Sequence, residues 1–444
     1  MSRRVVITGL GVCTSVGRGV EEFWRNLLAG RSGIGPITLF DAASFPVQIG
    51  GEVKHLALEE LTASFPEVAG ERDRKVWLGL DAAAQALADA DLLMEALANA
   101  ALFVGVSLET FFLDEVTPAY AHHPLRASAS LTARSLSASL AGKDAGAPRA
   151  RLVDYLLNER RSSLPLQTPL DRLTQILGDH YGLDHGRYTN CSACAAGTQV
   201  VGEAFRRLRR GSAEVAIAGA TDSTLNPLAL GGFSLLHILS TENEQPEKAC
   251  RPFDATRQGT VLGEGAAFLV METLEHAQRR EARVYAEVLG YGSSLDAYRV
   301  TDPEPGGKGA ALSMINALSD AGLRPEEIDC INAHGTGTPK NDVAETLAIK
   351  RALGAHARAI PVTANKSMTG HMIAASGAVE AIASVLTLFN RKVPPTINLA
   401  HRDPQCDLDY VTEGCRDLAG RTVLSNSFGF GGQNATLIFR RCDL

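Results

Sequence analysis

Asn190-Cys191-Ser192-Ala193-Cys194-Ala195-Ala196-Gly197 opens a stretch that runs through a helical segment to Arg209 and on to Val215-Ala216-Ile217-Ala218-Gly219. The spacing predicts a helix from about Gly197 to Arg209, and the apolar run after it reads as a buried strand. Working outward, the same alternation continues. Val5 to Thr8 reads as a strand ending in the Gly-rich turn Gly9-Leu10-Gly11, Arg74 to Ala101 has helical spacing, and Leu102 to Val106 returns to strand character. Beyond Gly219, strands are expected at Ala267–Met271, Val284–Leu289, Ile328–Asn332 and Ala435–Arg440. Helices are expected at Ala310–Ala321 and over about Thr369–Asn390. Strands alternating with helices indicate a layered α/β fold.

At 444 residues the chain exceeds the usual size of one domain, so two comparable halves are expected, 1–250 and 251–444. Hydrophobic residues make up 45% and charged ones 21%, enough to bury a large core. A net charge of −7 gives no general basic field, which argues against a nucleic-acid binder. No apolar run is long enough for a membrane span, and the apolar N-terminal run is too short and too interrupted for a signal peptide. Eight cysteines scattered over the chain do not form a disulfide framework, which points to a reducing cytoplasm. The stretch from about Ser107 to Pro169 stands apart. Between His122 and Gln167 it carries Arg126, Arg134, Lys143, Arg149, Arg151, Arg160 and Arg161 against Asp144, Asp154 and Glu159. It reads as a solvated excursion or as a docking surface for an acidic partner.

Cys194 is the nucleophile candidate. A cysteine just before a helix meets the positive end of the dipole and free N–H groups, which favour a thiolate and could bind an oxyanion. Cys191 and Cys194 also form a CxxC, open to a redox or zinc reading, although the other cysteines supply no second close pair. An inert buried cysteine is the third reading. Ile331-Asn332-Ala333-His334-Gly335-Thr336-Gly337-Thr338 places a histidine at a strand end, where α/β sheets present residues to ligands, or where it is structural. In Asn365-Lys366-Ser367-Met368-Thr369-Gly370-His371 a neutral imidazole near a helix start would serve as a hydrogen-bond donor. Lys366 and Glu380 in so apolar a stretch call for pairing. Asn426-Ser427-Phe428-Gly429-Phe430-Gly431-Gly432-Gln433-Asn434 reads as a backbone able to approach a ligand and move a ring, or as a simple turn.

Taken together, these motifs resemble the elongating β-ketoacyl-acyl carrier protein synthases, both fatty-acid enzymes of the second type and polyketide ketosynthases. The likeness also includes the opening Val5 to Gly11, Arg251-Pro252-Phe253-Asp254, Gly263-Glu264-Gly265 and Asp296-Ala297-Tyr298, and so extends over most of the chain. The resemblance implies a thiolase-like α/β fold of two similar halves in five α-β-α-β-α layers, normally dimeric with itself or with a chain-length-factor partner. It implies that Cys194 is the nucleophile, with His334 and His371 as catalytic partners, Lys366 as the group orienting the second histidine, and Glu380 in the supporting network. By the same resemblance the backbone N–H groups of Cys194 and Phe430 form the oxyanion hole, Phe428 and Phe430 gate the acyl pocket, and Thr336 and Thr338 contact pantetheine. No metal or other cofactor is implied. The substrates arrive on the phosphopantetheine of an acyl carrier protein.

Three features depart from the pattern: the 107–169 stretch, Arg299 where the family often has histidine, and His237 where fatty-acid synthases often place a carrier-docking arginine. These point to a specialised pathway. The competing classes are a non-catalytic chain-length partner, opposed by the presence of Cys194 and both histidines, and a degradative thiolase, which would use a second cysteine as base. A nicotinamide oxidoreductase is a further rival, but its GxGxxG spacing fails at Thr14.

Overall fold

The computed structural model describes residues 3–56, 58–92, 94–111 and 167–442. It divides into two compact units, Met1–Leu108 with Leu170–Leu444, and Glu109–Pro169. In the smaller unit Thr110–Phe111 pairs antiparallel with Gln167–Thr168. The solvated excursion or docking surface considered for 107–169 falls mainly on 112–166, outside the described residues. Everything below concerns the larger unit.

Ten principal strands build it. The first five are β1 (Val5–Thr14), β2 (Ala101–Gly105), β3 (Arg187–Asn190), β4 (Val215–Ser223) and β5 (Glu264–Thr273). The second five are β6 (Ala286–Leu295), β7 (Cys330–Asn332), β8 (Pro361–Thr363), β9 (Thr422–Gly429) and β10 (Gln433–Arg440). The first set lies in the order β3-β2-β4-β5-β1 and the second in the order β8-β7-β9-β10-β6. Each set therefore runs third, second, fourth, fifth, first. Directions agree as well: the first three strands in each order are parallel, and the last two join antiparallel. Val5–Ile7 of β1 pairs with Ala286–Val288 of β6 and makes the two sets continuous.

The helices that matter are α1 (Arg74–Ala90), α2 (Ala196–Arg209), α3 (Lys308–Ala321), α4 (Pro339–Leu353) and α5 (Ala374–Asn390). Helix α1 covers the outer face of the first sheet and α3 that of the second, with α4 beside α3, while α2 and α5 lie together between the sheets. These are the five layers of a thiolase-like fold. The repeat extends to detail. Register slips between Ile7 and Gly9 in β1, and between Val288 and Gly290 in β6. A Cβ at Gly9 or Gly11 would collide with the α1 backbone at Ala86 or Ala82, and one at Gly290 or Gly292 with the α3 backbone at Ala317 or Ser313. Gly9-Leu10-Gly11 is thus no turn ending a strand: β1 runs through it, and the missing side chains let a helix settle on the sheet.

Three other expectations are corrected. The helix from Arg74 stops at Ala90, where Asp91 turns left-handed (φ 49°). The helix expected over Thr369–Asn390 is broken: a short turn Lys366–Thr369 ends at Gly370 (φ 71°), and α5 begins only at Ala374, after Ile373 (φ 44°). The stretch Asn426–Asn434 is mostly strand, with only Phe430–Gly432 making the hairpin turn. Among the described residues no helix is long and apolar enough to cross a membrane.

Candidate active site

Two breaks in the chain meet at the crossing of α2 and α5. Before α2, Ala193-Cys194-Ala195 forms a tight turn with Ala193 at φ 49°. Before α5, His371 occupies the non-helical bridge just described. The helices touch through small residues: a Cβ at Gly197 would stand 2.6 Å from Ala374 O and from Ala378 N, and one at Gly377 2.7 Å from Thr198 N. This close crossing brings Nε2 of His371 to 3.2 Å from Sγ of Cys194. The end of β9 presses on the same turn, with the Gly429 Cβ position 3.1 Å from Cys194 N. The N–H of Phe430 then reaches the sulfur, as does that of Cys194 itself.

The electrostatics differ from the expectation of a depressed thiol pKa. Cys194 is only 4% exposed, and burial pushes its thiol up to about 11. The Lys366 charge and the two N–H groups pull in the other direction without overcoming the loss of water. The helix start alone misled, because a dipole acts on a thiolate only after desolvation has taken its share.

Lys366, fully buried, supplies three protons to three acceptors: Nδ1 of His334 at 3.2 Å, the His334 carbonyl at 2.7 Å and Glu380 Oε1 at 2.5 Å. Since an ammonium only donates, Nδ1 of His334 is an acceptor and the ring hydrogen sits on Nε2. Lys366 therefore serves His334, the first histidine, where the resemblance assigned it to the second. His371 is set by a residue that sequence reasoning missed. Ser376 Oγ, which accepts the Met372 N–H at 2.9 Å, lies 3.0 Å from Nδ1 of His371 and carries a proton that it can donate to that nitrogen. With Ser376 donating, both imidazoles offer Nε2–H. Their rings stand 5.4 Å apart at 83°, and burial followed by the Lys366 charge holds both well below the usual histidine pKa, so they are neutral. Glu345, also missed, accepts the N–H groups of His334 and Gly335, both at 2.8 Å. Burial raises Glu345 and Glu380 to about 7 each. No short-range spacing in the sequence signals Ser376 or Glu345.

Cys194, His334 and His371 are the one close group of metal-type ligands among the described residues, their atoms within 4.8 Å of one another. A metal would need the Nε2 lone pairs, and the Lys366 ammonium on Nδ1 of His334 places a hydrogen on the Nε2 of that ring. Cys191 is exposed and turns its Sγ to the Ser107 carbonyl at 2.9 Å.

The trio lines a cavity of about 340 Å³ together with Phe428, Phe430, Thr336 and Thr338. Phe428 stands edge-on to His334 at 5.8 Å, and Phe430 stacks on Phe233 at 6.4 Å. Thr336 and Thr338 share a hydrogen bond of 2.9 Å, and Thr338 also caps α4. Asp296 and His237 also border the cavity. Arg299 is not among its lining residues and pairs with Asp302 at 3.4 Å.

The β-ketoacyl synthase N-terminal domain profile matches residues 2–145 and 175–277, and the C-terminal domain profile matches 285–400. The chain is 39% identical to a 3-oxoacyl-[acyl-carrier-protein] synthase 2 of Synechocystis, covering 99% of this chain and 98% of that protein. It is 40% identical to the synthase of the same name from Coxiella burnetii, covering 99% of each. Among solved structures, the ishigamide ketosynthase/chain length factor superposes with a TM-score of 0.81 at 34% identity over the whole of both chains. A type II polyketide ketosynthase in complex with its acyl-carrier protein and bound to a hexaketide gives 0.80 at 31%, again over both whole chains. Matched along its whole length, with cysteine and two neutral histidines gathered at one helix crossing, the chain belongs to the β-ketoacyl synthase family of acyl-transferring condensing enzymes.

Proposed function

We propose that this chain is a β-ketoacyl-acyl carrier protein synthase that extends an acyl group held on Cys194 by a malonyl unit, through decarboxylative Claisen condensation. The observation that carries the reading is the convergence of two Nε2–H groups and a buried thiol on one cavity. In the first half-reaction the sulfur attacks an acyl thioester, a carrier thiol leaves with the cysteine's proton, and Cys194 becomes the thioester. The Cys194 and Phe430 N–H groups, which reach the sulfur, would hold the tetrahedral oxyanion. In the second half, malonyl thioester enters along Thr336 and Thr338, and its carbonyl accepts from His334 and His371. Its carboxylate leaves as carbon dioxide, the C–C bonding pair becomes the enolate, and the enolate carbon attacks the Cys194 thioester. Collapse expels the Cys194 thiolate. The chemistry calls for no cofactor beyond the phosphopantetheine that carries the substrates.

The partner is an acyl carrier protein, and the pathway a specialised fatty-acid or type II polyketide one. A second reading, a ketosynthase active only beside a chain-length-factor partner, is favoured by the likeness to the ketosynthase/chain length factor structure. Intact-protein mass spectrometry after incubation with acyl carrier proteins of several chain lengths tests both. An adduct absent from Cys194→Ala supports the synthase, and an adduct only when a chain-length-factor subunit is added supports the second reading. No adduct in either case overturns both.

A further inference from the structure

Asp222 is a buried acid that the proposed reaction leaves unused. It sits near the end of β4, 1% exposed. Its Oδ1 accepts the Ser223 N–H at 3.1 Å, and its Oδ2 accepts the N–H of Ala374, the first residue of α5, at 3.0 Å. Helix α5 has no capping side chain of its own, since its N-cap is Ile373. The cap comes instead from a strand of the other sheet. Ile373 is itself unusual, with φ 44° and ψ −106°, a backbone region that a β-branched residue rarely enters. It is 5% exposed, borders the reaction cavity, and packs in one apolar cluster with Cys194, Phe233 and Leu225 against Phe430.

A strained conformation persists only where its surroundings over-determine it. On the N-terminal side Gly370 and the His371 N–H, bonded to Val261 O at 2.7 Å, hold the chain. On the C-terminal side Asp222 accepts the Ala374 N–H, while Ser376 Oγ accepts that of Met372 and the Met372 carbonyl that of Ala375. We infer that Asp222 is a positioning residue that sets the Ile373 wall of the acyl cavity and thereby the length or shape of chain that fits beside Cys194. This rests on the proposed synthase reading for its substrate, though not for its geometry. Burial pushes the Asp222 carboxyl up to about 6, against the Ser107 side chain, the Ala374 N–H and the charge of Lys75, so the group is largely ionised at neutral pH, which suits a helix start.

Alkyl chloroacetamides of graded chain length test the wall without requiring the natural reaction. The Cys194 sulfur displaces chloride to form a thioether, the thiol proton passes to buffer, and mass spectrometry reads the rate. Asp222→Ala and Ile373→Gly should each change the long-to-short rate ratio by about tenfold, the scale of a fitted apolar contact. Asp222→Asn, which keeps an acceptor, should shift it less. In the Ile373→Gly background, adding Asp222→Ala should alter the ratio by no more than about twofold, because both act through one element. An equal fall at every chain length, or additive effects in the double variant, would overturn the inference. Should Asp222→Ala not fold, an unchanged ratio in Ile373→Gly does the same. The same variants with acyl carrier proteins separate the two readings. Transfer absent from wild type while chloroacetamides still discriminate would sink the synthase and leave the wall standing.

Discussion

Lys366 donates to Nδ1 of His334 across 3.2 Å while also holding the carbonyl of the same residue and Glu380. One ammonium thereby fixes the ring's tautomer, its backbone and its counter-charge. Replacing it removes the reason for the hydrogen to sit on Nε2. Lys366→Met is expected to lower malonyl decarboxylation, followed as carbon dioxide release, by about 10²-fold or more, as when an oxyanion donor is lost. Glu380, already raised to about 7, takes up a proton in the variant, so destabilisation stays at the low end of the roughly 3–5 kcal/mol for a broken buried pair. Decarboxylation within twofold of wild type would remove Lys366 from the machinery.

The thiol of Cys194, pushed up to about 11, is nearly all protonated at neutral pH. Because only the thiolate alkylates, the iodoacetamide rate should climb about tenfold per pH unit from 7 toward 10. In Lys366→Met the curve moves to still higher pH, since the lysine charge favours the thiolate. A plateau reached by pH 8 would show that the helix start outweighs burial after all.

Both histidines are held well below their ordinary value and so stay neutral donors at neutral pH. Their titration should therefore leave no limb near 6.5 in the pH profile of decarboxylation. Any acid limb should lie near 7 and belong to Glu345 or Glu380, raised by burial to about that value. Protonating Glu345 weakens its grip on the His334 and Gly335 N–H groups, so activity falls as pH drops. Glu345→Gln should be slower and flat across that range, and a retained limb would assign it to Glu380.

Gly197→Ala forces a methyl toward Ala374 O and Ala378 N, where α2 crosses α5. Destabilisation of about 1–3 kcal/mol is expected from such overpacking, read as a lowered denaturant midpoint. Gly377→Ala should cost a similar amount, and the pair less than the sum, because one separation of the helices relieves both. Full additivity would mean that the two glycines do not share a crossing.

How much of this was legible in the sequence depends on the range over which each signal acts. Strands and helices follow from periodicity within a few residues, so the α/β class and most elements were readable. Cys194 and His371 stood out by their place at helix starts, Lys366 and Glu380 as charges in an apolar stretch, and His334, Phe428 and Phe430 by glycine-rich surroundings. The internal repeat was not, because Gly9 with Gly11 and Gly290 with Gly292 match in what they admit, a helix backbone, while their neighbours differ. The break at Gly370 and Ile373 was hidden too, since the small apolar residues that follow carry helical spacing regardless. Ser376 lies in an apolar run and Glu345 and Asp222 among other polar residues, and nothing local says which ring or helix start each one meets. The sequence by itself determined the elements and the reactive groups. The tertiary structure alone decided that a thiol would be raised rather than lowered, which lysine proton meets which histidine, and where the strain is held. Burial and hydrogen-bond geometry depend on chain segments far apart in sequence, and only the packed layers bring those together.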